Sequence, residues 1–264
     1  MNFGKAFTYL LHDDNGLIKI GINLVVTLVA SILMIFFGLG IIVFAAQEGY
    51  KVQLIKNMLE GEEKPLPSWD QWGKKITQGF HVVLANIVYN ILPLLVLCGA
   101  LIPAVTAALP LFDIMETDPE TQEIFFTDQD KAEAIFTQIG TTSLPFLYLT
   151  PLLLIYYVVT GALVNLATVR YAQSGQVGEF FKVASLWGGV TKNMGATVQW
   201  WLFSVGAAII LGIANLILSA IPFGAVLVTA VQMPILGHLT GQYGVLTHQM
   251  NQPSDELHTP RFEV

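Results

Sequence analysis

Side chains able to do chemistry are sparse in this sequence. There are five histidines, His12, His81, His238, His248 and His258, and one cysteine, Cys98. No two histidines stand three or four residues apart, the spacing that puts two imidazoles on one helix face for a metal ion. A single thiol forms neither an internal disulfide nor a cysteine-based metal site. The phosphate-cradling Gly-rich loop, H-E-x-x-H and G-x-S-x-G are all absent. With no nucleophile beside a base, the chain reads as a non-enzyme with no cofactor and no metal.

What remains is polar but uncharged, and it gathers late in the chain, at Gln232, His238 and Gln242. His238 and Gln242 are four apart, so on a helix they share a face and can meet. Gly237 and Gly241 lie beside them and would admit a second helix closely. Pro234 has no N–H, so a carbonyl one turn earlier needs another donor. Three uses fit this candidate polar centre: an interhelical hydrogen-bond knot, a ligand or permeation site, or a lipid-headgroup contact.

The elements that would position these residues follow from the charge pattern. The chain has 264 residues, 54% hydrophobic and 12% charged, where soluble domains carry roughly 25% charged. No Asp, Glu, Lys or Arg lies between Lys19 and Glu48, Lys75 and Asp113, Glu133 and Arg170, or Lys192 and Asp255. Inside these gaps are the apolar runs Leu17–Ala46, Phe80–Phe112, Ser143–Val169 and Gly195–Thr247, the last broken by a turn at Ala220–Gly224. Each run exceeds the ~20 residues a helix needs to cross a bilayer. The fold class is therefore an all-α integral membrane protein, one polytopic domain over 1–264. Leu17–Ala46 also outruns the ~7–15 apolar residues of a signal peptide, so it reads as membrane-spanning.

That run crosses once, giving five spans, or forms a hairpin broken at Gly38-Leu-Gly40, giving six. Lys and Arg collect on the cytoplasmic side. Six crossings place 11 of the 12 basic residues on one side; five place 9 there. Six is the favoured count and five the alternative. The second helix of the hairpin must then continue through Gln47, Glu48 and Tyr50 toward Met58, with Glu48 turned to other helices rather than lipid. Head, loop Tyr50–Gln78, loop Arg170–Asn193 and tail share the cytoplasmic face in that arrangement.

Three segments have an amphipathic period. Ser68 and Gln71 have capping-box spacing, predicting a helix from Trp69. Its stripe is Trp69, Trp72, Ile76 and Phe80, with Lys74 opposite. Phe3, Ala6, Phe7 and Leu10 form a second stripe. Phe180, Val183, Ala184 and Trp187 form a third, with Lys182, Ser185 and Lys192 opposite. Tryptophan on one face and lysine on the other suit a helix lying in the membrane interface. The expected anchors are Trp69, Trp72, Lys74, Lys75, Phe180 and Trp187, with membrane lipid as partner. Each stripe precedes an apolar run, so the chain reads either as three units of one interfacial helix and two spans or as ordinary juxtamembrane segments.

The segment 111–142 carries eight acids, Asp113 to Glu133, against Lys131, an excess equal to the whole net charge of −7. It reads as an acidic extramembrane loop, able to meet a basic partner or simply to be solvated, with a short helix capped by Thr127 and Asp130. Residues 248–264 read as a polar tail. Asn86, Asn90, Asn165, Gln199 and Asn215 fall within the runs and are expected to face the bundle.

The order Gly49-Tyr50, Lys51–Lys56, Gly61-Glu62-Glu63, Leu66-Pro67-Ser68-Trp69-Asp70-Gln71-Trp72-Gly73 and Gly79-Phe80 resembles an uncharacterised prokaryotic membrane family, domain of unknown function 4013. Arg170-Tyr171, Gly178-Glu179-Phe180-Phe181 and Gly237–Tyr243 are similar to its second half. The resemblance implies a multi-pass protein of the prokaryotic plasma (inner) membrane and supplies no reaction or ligand. The functional expectation is a non-catalytic scaffold or partner- and lipid-docking subunit, which could bind another membrane protein; no nucleic-acid partner is expected. The alternative is a passive or partner-driven permease for a small neutral or lipid-like molecule. A polar cavity open to one side would favour the permease, and a dry polar seam with a broad apolar lateral surface the scaffold.

Overall fold

The computed structural model describes residues 1–35, 39–115, 129–221 and 223–251. Every regular element among them is helical. We number the α-helices α1 (Lys5–His12), α2 (Gly16–Ile35), α3 (Gly40–Leu59), α4 (Trp72–Met115), α5 (Gln129–Ser174), α6 (Val183–Lys192), α7 (Met194–Leu218) and α8 (Gly224–Asn251); a 3-10 turn, Val177–Phe181, precedes α6. Five helical stretches are long and apolar enough to cross a membrane: Gly16–Met34, Trp72–Ala107, Phe136–Ser174, Met194–Leu218 and Gly224–His248. The chain is thus an all-helical protein of multi-pass membrane type.

The first apolar run is a helical hairpin. α2 and α3 pack on each other, and a Cβ at Gly40 would sit 2.5 Å from the Ala30 carbonyl oxygen, so only glycine allows that approach. α3 runs through Gln47, Glu48 and Tyr50 to Leu59, with Glu48 buried and ion-paired to Lys51. It has the length of a span but carries Glu48, Lys51 and Lys56, which keeps it outside the five most apolar helices.

The chain forms two compact units. In the unit Met1–Asn86 with Gly161–Val264, α8 lies at the centre, packed on α1, α2, α3 and α7. Its small residues make this possible. A Cβ at Gly241 would strike Met58 of α3, and one at Gly244 would meet Leu59 of α3 and Val169 of α5. α3 and α4 cross just as closely: a Cβ at Gly49 would overlap the Lys75 carbonyl, and one at Gly79 the Ala45 carbonyl. In the unit Ile87–Thr160, the Tyr156 hydroxyl donates to the Tyr89 carbonyl, and Leu92, Leu94, Leu95, Leu152, Leu154 and Ile155 are exposed.

Several local expectations are corrected. α4 begins at Trp72, not Trp69, because Gln71 adopts a left-handed φ of 47°. Tertiary contacts override the capping box: Lys19 Nζ donates to the Leu66 carbonyl at 2.7 Å, Asn57 Nδ2 to the Pro65 carbonyl at 3.0 Å, and Lys75 Nζ to the Asp70 carbonyl at 2.5 Å. From Trp72 the helix continues unbroken into the apolar run, so the middle of the three expected units has no separate short helix. The apolar stripe of α1 is covered by protein: Ala6, Tyr9 and Leu10 are buried in a core with Ala207 and Leu211 of α7 and Ile235 and Leu239 of α8. Phe180 lies in the 3-10 turn and is buried, while α6 turns Leu186 and Val190 inward and leaves Trp187 exposed.

The described parts of 111–142 are helical, since α4 runs to Met115 and α5 starts at Gln129; residues 116–128, with most of the acidic charge and Thr127, lie outside the described residues. α8 extends to Asn251, and the rest of the tail, 252–264, also lies outside them.

Candidate functional site

Pro234 organises the polar centre. Without its N–H, the Ala230 carbonyl has no donor from its own helix. Asn23 Nδ2 of α2 donates to that oxygen. Asn23 is itself one member of a relay: Gln47 Nε2 of α3 donates to Thr27 Oγ1 at 2.6 Å, and Thr27 Oγ1 donates to the Asn23 carbonyl at 2.8 Å. Asn23, Thr27 and Gln47 are all buried. Three helices are thus joined through one missing hydrogen bond.

One turn further on, α1 closes over the same helix. Tyr9 donates its hydroxyl to the Pro234 carbonyl at 2.9 Å, and its ring stacks on His238 with centroids 4.1 Å apart. Burial pushes the Tyr9 hydroxyl well above its usual pKa, so it stays protonated and remains a donor. Gln242 grips the backbone of Asn2 at two points, accepting its N–H at Oε1 (2.5 Å) and donating from Nε2 to its carbonyl (2.9 Å). That pairing fixes which end of the amide is which. The Gln242 Nε2 group therefore also donates to His238 Nδ1 at 3.0 Å, which makes Nδ1 an acceptor and the imidazole neutral, with its proton on Nε2. Gln232 is half-buried and hydrogen-bonds to none of these groups.

Of the predicted residues, His238 and Gln242 are brought together and Gln232 is not. Sequence reasoning missed Asn23, Thr27 and Gln47. Their signal was available, because Asn23, Thr27 and Ser31 recur every four residues and so share a helix face inside an apolar run. Asn165 is buried as expected, with Thr240 Oγ1 donating to its Oδ1 at 2.8 Å, but Asn215 is exposed.

The predicted anchors divide. Trp69 is half-buried, stacked on Tyr50 at 4.6 Å and 4.9 Å from the Trp72 ring. Trp72, Lys74 and Trp187 are exposed. Lys75 and Phe180 are buried, so neither is free to face a membrane surface. Among the described residues no three His, Cys, Asp or Glu side chains come together as metal ligands.

The Tyr50–Trp69–Trp72 aromatic series and the crossing glycines Gly49 and Gly79 gather the sequence block singled out above into one place. A family model described as a protein of unknown function, DUF4013, matches residues 32–223. The chain belongs to that family. The DUF4013 match takes in that aromatic block, α3 to α7 and the end of α2; it leaves out α1, α8 and with them Tyr9, Pro234, His238 and Gln242. The resemblance at Gly237–Tyr243 thus lies beyond the matched residues. No curated protein and no solved structure matches the chain.

Proposed function

We propose that this DUF4013 protein is a non-catalytic scaffold or docking subunit of a prokaryotic plasma membrane, with both termini cytoplasmic and α3 as a sixth crossing. One observation carries the reading. The polar groups at the centre of the bundle are consumed by one another, Asn23 by Ala230, Gln47 by Thr27, Tyr9 by Pro234 and Gln242 by Asn2 and His238. A seam paired in this way holds helices together rather than offering itself to a solute. Outside it, long rows of leucine, isoleucine and valine on α2, α4 and α7 are exposed, a lateral surface suited to lipid or another membrane protein.

The permease reading draws on a different observation. Asn165 Nδ2, Trp200 Nε1 and Ser204 Oγ are buried without a hydrogen-bond partner among the described residues, and such groups are unfavourable in a membrane unless something meets them. Mass spectrometry of the protein extracted in mild detergent separates the two. A stoichiometric co-purifying protein supports the scaffold; a bound small molecule and no protein replaces it with the permease. Topology is tested by cysteine labelling at Asp14 and Gly178. Labelling from the same side agrees with α3 crossing, and labelling from opposite sides removes that crossing.

A further inference from the structure

We propose that α6 is a docking site for anionic phospholipid, with Trp187 and Val183 entering the leaflet and Arg170 and Lys192 meeting its headgroups. The inference rests on the membrane setting of the reading above and adds the chemistry of the lipid.

The position of α6 is constrained from both ends. The α5 stretch Phe136–Ser174 and the α7 stretch Met194–Leu218 are both of membrane-crossing type. The intervening residues, 175–193, are too short to leave the surface and return as an independent domain, so α6 stays beside the plane where those helices emerge. Its inner face is used, with Leu186 and Val190 buried. Its outer face is not. Val183 and Trp187, one turn apart on α6, are each about half exposed, as is Phe181 in the turn before it.

The cations select the lipid. Lys182 is neutralised by Glu179 at 2.5 Å. Arg170 and Lys192 have no acidic partner among the described residues. Arg170 is nevertheless held in place: Nη1 donates to Ser185 Oγ at 2.8 Å and Nη2 to the Ser185 carbonyl at 3.3 Å. Two of its five N–H groups are thereby fixed against α6, and three remain for an oxyanion such as a phosphodiester. α6 thus has an outward tryptophan on one side and, through Ser185, fixed positive charge on the other, the arrangement expected of a helix lying along an acidic leaflet. Neither of the other two stripes offers it. The stripe of α1 is covered by protein; near Trp72, Lys75 is buried, and the exposed Lys74 has no hydrogen bond or ion pair to fix it among the described residues.

The test uses the full chain in detergent, titrated with phosphatidylglycerol or phosphatidylcholine and read by native mass spectrometry. The wild type should prefer phosphatidylglycerol. Lys192→Gln, at an exposed residue with no acidic partner among the described residues, should lower that preference about fivefold, the worth of one basic residue near an anionic surface, with no change in melting temperature. Arg170→Gln should lower the preference as well, with some loss of stability from its bonds to Ser185, and Arg170→Lys should retain most of the preference. A bimane on Val183→Cys, in a Cys98→Ala background and a phosphatidylglycerol nanodisc, should be quenched by brominated acyl chains. Equal binding of the two lipids, a preference unmoved by Lys192→Gln, or an unquenched bimane would overturn the proposal. Failure to find a co-purifying protein would sink the scaffold reading and leave these ratios untouched.

Discussion

α7 and α8 are similar in length, adjacent in sequence and packed on each other, yet they live in different surroundings. Along the membrane-length part of each helix, 56% of α8 is buried and 11% of α7. α8 carries Gln232, Pro234, His238, Thr240 and Gln242, and all but Gln232 are used against other parts of the bundle; α7 exposes Leu202, Ile209, Ile210, Ile213, Leu216 and Ile217. In a bilayer the more polar helix is the interior one, because hydrocarbon gives its side chains no partners. The contrast also shows why a weakly apolar stretch can be the structural axis of a membrane protein.

Small residues should separate the two helices most strongly. Gly241→Leu drives a branched side chain into Met58 and is expected to cost about 3 kcal/mol, the upper end of overpacking. Gly212→Leu on α7, where a Cβ would meet nothing within 4 Å, should stay within about 0.5 kcal/mol. Equal melting temperatures for the two variants would break the comparison.

The proline carbonyl gives a sharper test. Asn23→Leu removes the side-chain donor to Ala230 and should cost about 2 kcal/mol. Pro234→Ala restores the backbone donor to the same oxygen. The double variant should therefore lose less than the two single losses added together, by about 1 kcal/mol. Strict additivity would show that Asn23 does not serve that carbonyl.

A smaller effect is expected at His238. His238→Leu breaks the bond to Gln242 and the stack on Tyr9, and should lower stability by about 0.6–2 kcal/mol. Asn215→Leu, at an exposed position on α7, should be neutral or slightly stabilising. If His238→Leu is neutral as well, the polar centre is not structural.

The smallest effect lies outside both helices. Hydrogen bonds from Ser68 and Lys75 hold the Asp70 carboxyl below its ordinary range. A carboxyl lowered by folding adds stability above its unfolded pKa, and that contribution disappears as pH falls through the folded value. Asp70→Asn should thus flatten the acid side of the melting profile slightly, since Asp70 is exposed and screened. An unchanged profile would remove the carboxylate from the account of how 68–75 is held.

Much of the architecture was legible because membrane crossing is written in long runs. The start of a second helix at Gly40, the passage of α3 through Glu48 toward Met58 and the carbonyl left by Pro234 each follow from one local rule. The partners were not legible. Nothing local says that Asn23 answers Ala230 or that Asn2 answers Gln242, because those pairs meet only through tertiary packing. The stripes of α1 and α6 looked alike for the same reason. An apolar face is visible in one helix, but whether protein or lipid covers it depends on α7 and α8. At Trp69 a capping signal was overridden by Lys19 and Asn57, which hold the preceding carbonyls from two other helices.

The grip of Gln242 on Asn2 joins residues 240 positions apart in sequence. It has a consequence for the order of manufacture. Asn23 and Tyr9 emerge from the ribosome long before their partners Ala230, Pro234 and His238. Throughout synthesis the first hairpin waits in the membrane with polar groups whose final partners do not yet exist, and α8 must then enter between helices already inserted. α8 is the keystone of assembly. A ribosome that stops before Gly224 releases α1 to α7 with the Asn23 amide and the Tyr9 hydroxyl unmet by their α8 carbonyls.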